Sequence, residues 1–239
     1  LTMQLENSMK RLSIMIGVSL LLCISCGSKA IKQEIDLSKP HLKITVGFNA
    51  EAYKSLFLKK LYPTYAIWAE NKKTGEVRTI YITGKAGTGE WMMADERPSS
   101  VPVWYGVKKK EKEAAPVDSI TGATPSGEMF THYWQIPQSM MNARIDIYLE
   151  VNASFDYNEF YREEAKEGEP GYSDVNGQPS LIWMATIEAG KKEITVNPKL
   201  IGHGHVLGEN HEINRDLSKI TTAKSIFRHV DISYVSGSK

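Results

Sequence analysis

The chain has 239 residues, 41% of them hydrophobic, and its 29 Lys and Arg nearly balance 28 Asp and Glu for a formal net charge of +1. That apolar content can fill a core and argues against intrinsic disorder, while the even charge offers no concentrated cationic face for nucleic acid. The two cysteines are Cys23 and Cys26, so the rest of the chain holds no disulfide framework, no Cys-ligated zinc and no thiol nucleophile.

Residues 1–26 read as an export label. Lys10 and Arg11 precede an apolar run over 12–22, and small residues follow around Cys26, which is the layout of a secretory signal. A membrane span needs about 20 apolar residues, more than this run supplies. Met9 reads as a better start than Leu1. Ser25-Cys26-Gly27 resembles a bacterial lipobox, which implies lipidation at Cys26 and an anchor in the membrane of a bacterial envelope, periplasmic or outer-membrane in location. Residues 27–40 are polar, lack an apolar period and read as a tether, leaving 41–239 as one folded domain.

Within that domain the elements follow in order. Leu42, Ile44 and Val46 alternate with Lys43 and Thr45, the period of a half-buried strand. Residues 52–61 have room for a helical turn or two. Strands are expected over 64–70 and 77–83, joined by a turn of hairpin composition, Asn71-Lys72-Lys73-Thr74-Gly75-Glu76. A long loop over 84–100 carries Trp91. Lys108-Lys109-Lys110, followed by Glu111 and Glu113, reads as a solvated loop.

Further strands are expected over 129–136, 144–151, 181–189, 194–196 and 228–235. Over 144–151, Ile145, Ile147, Leu149 and Val151 face one way and Arg144, Asp146, Tyr148 and Glu150 the other, which predicts a strand with one wet face. A second long loop covers 163–179, and 216–226 has room for a helical turn capped at Asp216 or Ser218. The sum is an all-β fold, an antiparallel β-sandwich of immunoglobulin-like type with long loops and one or two short helices.

Between the lysine run and the 129–136 strand lies Asp118-Ser119-Ile120-Thr121-Gly122-Ala123-Thr124. Its form, Asp-x-x-Ser/Thr-Gly-Ala-Thr, resembles the signal read by bacterial flavin transferases, which join FMN to the last Thr through a phosphoester. The resemblance implies that Thr124 carries covalent FMN and that Asp118, Thr121, Gly122 and Ala123 are recognised by the transferase. A second reading stays open, a Gly/Pro/Ser turn begun at Asp118 and completed through Pro125 and Ser126.

Tyr65-Ala66-Ile67-Trp68 with its hairpin, a Trp-bearing loop and the turn leading into Tyr133-Trp134 together resemble an uncharacterised family of predicted periplasmic proteins. The likeness covers about 64–151, and Pro125 and Gly127 after the Thr-Gly-Ala-Thr turn match the family's usual pattern. Genes of that family lie near flavin transferases and PepSY-type membrane reductases, which implies both as partners but brings no established activity. Trp91, Trp104 and Trp134 are candidate rings beside the flavin.

Other constellations are weaker. His203, His205 and His211 form the histidine cluster, and two imidazoles at i and i+2 on a strand can share zinc or copper; the alternative is a solvated loop. Glu150, Asn152, Asp156, Asn158 and Glu159 offer oxygens of the kind calcium takes, but among Phe155, Tyr157, Phe160 and Tyr161 they read as a strand exit packing aromatics on a sheet end. No nucleophile elbow, phosphate loop or metalloprotease helix occurs. Three functions follow as expectations: a non-catalytic or redox-accessory lipoprotein carrying FMN, a non-enzymatic module that binds a glycan, peptide or protein through its long loops, or a metal-dependent hydrolase at the histidine cluster.

Overall fold

The computed structural model describes residues 35–52, 54–56, 59–89, 91, 97–111, 121–122 and 129–237. Their architecture is the expected antiparallel β-sandwich. In the first sheet β1 (His41–Phe48) lies between β12 (Phe227–Val235) and β7 (Met129–Gln135), antiparallel to both, and β10 (Ile194–Val196) extends the β12 side. In the second, β4 (Thr64–Asn71) and β5 (Val77–Thr83) form a hairpin, and β8 (Arg144–Asn152), β9 (Leu181–Glu188) and β11 (Lys199–His203) continue from β4. A two-residue strand, β6 (Thr121–Gly122), joins the outer edge of β5 in parallel.

The β4–β5 hairpin closes as its composition predicts. The Asn71 side chain accepts the N–H of Lys73 at 3.0 Å and of Thr74 at 3.4 Å, an Asx-type turn. Gly75 then takes a φ of 72°, a left-handed conformation that a Cβ would penalise. Alternate residues of the strands meet between the sheets: Leu42, Ile44 and Val46 from β1, Tyr65 and Ile67 from β4, Ile145, Ile147 and Leu149 from β8, and Ile232 from β12 are all fully buried. Each such aliphatic side chain contributes roughly 1.5–3 kcal/mol of hydrophobic stabilisation.

The expected wet face of β8 is not wet. Asp146, Tyr148 and Glu150 are buried, at 6%, 8% and 0% exposure. The second sheet carries a further layer, in which Val103, Trp104 and Val107 pack over Ala66, Trp68, Tyr148 and Ile182. Those residues come from a helix, α2 (Pro102–Lys110), with a short α1 (Gly84–Thr88) before it. Lys108, Lys109 and Lys110, expected in a loop, form the last turn of α2, where positive charge suits the helix dipole.

The two expected helical segments are also corrected. Residues 52–61 hold a small hairpin, β2 (Lys54–Leu56) with β3 (Lys59–Leu61). Residues 216–226 contain only a 3-10 turn, Thr222–Ser225. In the second stretch Leu217, Ile220, Ala223 and Ile226 still reach the main core, and isolated helices this short are marginal.

Candidate functional site

The Thr-Gly pair of the flavin-type motif is the edge strand of the second sheet. Thr121 is in register with Ile82 and Gly122 with Thr83. Asp118, Ala123 and Thr124 lie outside the described residues, as does Cys26. The edge strand therefore gives the motif's point of contact with the sandwich: the C-terminal end of β5.

On β5, just beneath that contact, two polar side chains point between the sheets. The hydroxyls of Tyr81 and Thr83 are buried, that of Thr83 without a partner among the described residues and that of Tyr81 with only the Tyr65 hydroxyl beside it, and the residues are only 6% and 2% exposed. Tyr65 packs on Tyr81 with ring centroids 4.8 Å apart. From β7 in the opposite sheet, His132 stacks on Tyr81 at 4.1 Å and shares a hydrogen bond with the Tyr65 hydroxyl, 2.9 Å from its Nε2.

Desolvation governs the protonation of this group. It pushes the Tyr81 phenol up to about 12, with the neighbouring Tyr65 hydroxyl working the other way. It also pulls His132 down to about 4, so at neutral pH the imidazole is uncharged. The cluster can hold and orient a proton or a hydrogen-bonding ligand, but it contains no activated nucleophile. Sequence reasoning missed it, since each residue alone is an ordinary member of an ordinary strand.

The second polar centre is Glu150 on β8. Val101, the residue before α2, provides no side-chain cap, leaving backbone donors that a buried helix start must satisfy. Glu150 supplies the acceptors across the sheet. Its Oε2 accepts the Trp104 N–H at 2.7 Å and its Oε1 the Val103 N–H at 3.2 Å, and Ser180 donates its hydroxyl to Oε1 at 2.6 Å. Burial raises this carboxyl from 4.5 to about 7, although all three hydrogen bonds favour the charged form. At the other end of α2, Glu111 accepts the backbone N–H of Thr79 at 2.9 Å and its hydroxyl at 2.8 Å. These carboxylates fasten α2 to the sheet and serve structure.

The histidines go to separate partners. Lys109 donates to Nε2 of His211 at 3.1 Å, which assigns the ring proton to Nδ1, 2.8 Å from the Pro102 carbonyl. His203 uses its Nδ1 on the Gly204 carbonyl at 2.7 Å. His205 accepts the backbone N–H groups of Leu207 and Glu209 through Nδ1. Among the described residues no three His, Cys, Asp or Glu side chains gather in a way that could hold a metal ion.

Of the calcium-type oxygens, those of Asp156 and Asn158 are engaged internally, as are those of Glu150, while the buried Asn152 Oδ1 meets no donor among the described residues. Asp156 accepts from Gln178 at 2.9 Å and from Thr222 at 2.9 Å. Asn158 caps the N–H groups of Phe160 and Tyr161. Of the candidate flavin-side rings, Trp104 is a core residue, 2% exposed, whose Nε1 donates to the Thr79 hydroxyl at 3.1 Å. Trp134 packs half-buried against the main core, and Trp91 half-buried against the α2 layer.

Fold and polar centres together describe an all-β sandwich with a helix strapped to one face and a buried hydroxyl–imidazole cluster at one sheet edge. No family model, curated protein or solved structure matches the chain. No described helix is long and apolar enough to cross a membrane.

Proposed function

We propose that this protein is an envelope-anchored lipoprotein, tethered through Cys26, whose sandwich carries covalent FMN at Thr124 as a redox accessory. A flavin transferase would attach the cofactor. A membrane reductase would deliver electrons, and the bound flavin would pass them outward. The cofactor does the electron chemistry, and the protein contributes attachment, orientation and the electrostatic surroundings.

The observation that carries this reading is the pairing of Thr121 and Gly122 with Ile82 and Thr83 at the open edge of the second sheet. An acceptor that a modifying enzyme must reach is best offered from a sheet edge, where Gly122 supplies a small residue beside Thr83.

The full chain co-expressed with a flavin transferase is expected to gain the mass of one FMN, turn yellow and give a flavin absorption spectrum. Thr124→Ala should lose all three with the fold unchanged by circular dichroism. A colourless, unmodified wild-type chain would discard the flavin reading and favour the non-enzymatic binding module.

A further inference from the structure

Loops from four parts of the chain converge on Arg97, just before the 3-10 turn Pro98–Ser100. Its guanidinium donates through Nη1 to the Ser154 hydroxyl at 3.0 Å and through Nη2 to the side-chain oxygen of Asn176. Asn176 is itself fixed, donating its Nδ2 to the Val206 carbonyl at 2.8 Å and its backbone N–H to the Ser173 carbonyl at 3.0 Å. Gly208, at a φ of +73°, closes the ring: a Cβ there would stand 2.7 Å from the Ser99 nitrogen. The guanidinium carbon lies 5.3 Å from the centre of the Trp91 ring.

This arrangement is incomplete in one consistent sense. Both acceptors that Arg97 uses are neutral, and among the described residues it makes no ion pair. Burial pulls its pKa down, with the Asp174 charge working the other way. Among the described residues, Nε of Arg97 and Nε1 of Trp91 are buried donors that find no acceptor, as is the hydroxyl of Ser173 in a neighbouring loop. Buried charges in folded proteins are paired, and buried donors are almost always satisfied. What is missing at the Arg97–Trp91 pair, whose guanidinium carbon and ring centre are 5.3 Å apart, is negative charge and lone pairs.

We propose that Arg97 and Trp91 form a binding site for an oxyanion, the carboxylate or phosphate end of a small ligand. The guanidinium Nε–H and the indole N–H each donate to one of its oxygens, and its charge neutralises Arg97. The indole face backs the guanidinium by cation–π contact, and the bonds to Ser154 and Asn176 hold the donor plane fixed. The site does not rest on the flavin reading, and either stands without the other.

The test is a titration of the 15N-labelled full chain, followed through its indole N–H resonances, with inorganic phosphate, acetate and chloride at matched ionic strength. The Trp91 resonance is the one that vanishes in Trp91→Phe. It is expected to move saturably with phosphate or acetate and to stay put in chloride. A response to phosphate alone identifies a phosphate-bearing ligand, and one to acetate alone a carboxylate. Arg97→Gln should abolish the movement, and Arg97→Lys should keep it with affinity reduced about tenfold, because a single ammonium cannot reproduce the guanidinium fork. A Trp91 resonance in the wild-type chain that moves in none of the salts, or equally in all three, overturns the proposal whether or not the variants fold.

Discussion

Tyr81 and Thr83 show what a single hydroxyl is worth in a sandwich interior. A buried hydroxyl without a partner costs roughly 1–3 kcal/mol in desolvation; among the described residues that of Thr83 is in that state, and that of Tyr81 has only the Tyr65 hydroxyl beside it. Tyr81→Phe and Thr83→Val in the unflavinylated chain should therefore raise stability by about 1 kcal/mol each, read as higher urea midpoints at unchanged slope. Tyr65→Phe should lower it by a similar amount, since it breaks the 2.9 Å bond to His132 and leaves an imidazole nitrogen unmet. If the Tyr81 and Thr83 variants are instead destabilised, those hydroxyls have partners in solution and the edge offers no spare donors. None of these residues stood out in the sequence, because an unmet hydroxyl is a property of what surrounds it.

At the scale of elements, α2 decides most. The strand that became β8 was legible by its alternation, but polarity was mistaken for exposure. Glu150 tolerates burial because Val103, Trp104 and Ser180, all at least 30 residues away in sequence, bring it donors. Attachment of α2 also depends on close approach. A Cβ on Gly106 would stand 2.5 Å from the Cβ of His211 and 2.8 Å from its Cγ, root atoms that cannot swing aside.

Gly106→Ala gains up to about 1 kcal/mol of helix propensity, but overpacking of this kind costs roughly 1–3 kcal/mol. Net destabilisation is therefore expected, with loss of the His211 bonds to Pro102 and Lys109. In a His211→Gly background, which removes the Cβ that stands 2.5 Å away, the same change should become stabilising. The check is a double-mutant cycle by chemical denaturation; identical effects in both backgrounds would mean that His211 does not sit against the helix.

Across the whole molecule, two buried groups titrate with opposite consequences. Glu150 has a folded pKa raised from 4.5 to about 7. Its contribution is complete below 4.5, is lost as pH rises, and is gone above about 7. His132 is lowered from 6.5 to about 4, so its contribution is present above 6.5 and is lost as pH falls towards 4. Each shift corresponds to about 3 kcal/mol, and the two windows overlap. Wild-type stability between pH 4.5 and 6.5 should thus be nearly flat as far as these groups govern it.

Single substitutions should expose the hidden slopes. Glu150→Gln is expected to make stability rise with pH through that window, and His132→Phe to make it fall. Urea midpoints across the range measure both. Two variants sharing the wild-type profile would show that neither group is buried in solution as deeply as its surroundings imply.

The sequence by itself determined the all-β class, most strands, the hairpin at Asn71–Glu76 and the motif at Asp118–Thr124, since each is written in local periodicity or a contiguous pattern of residues. Only the tertiary structure decided that Glu150 is a helix cap, that His203, His205 and His211 go separate ways, and that Arg97, Trp91 and Ser173 each hold a buried donor without an acceptor among the described residues. The physical reason is that burial and hydrogen-bond satisfaction are set by neighbours in space, often brought together from distant parts of the chain. Residue type states what a group can donate or accept; the fold alone states whether anything is there to receive it.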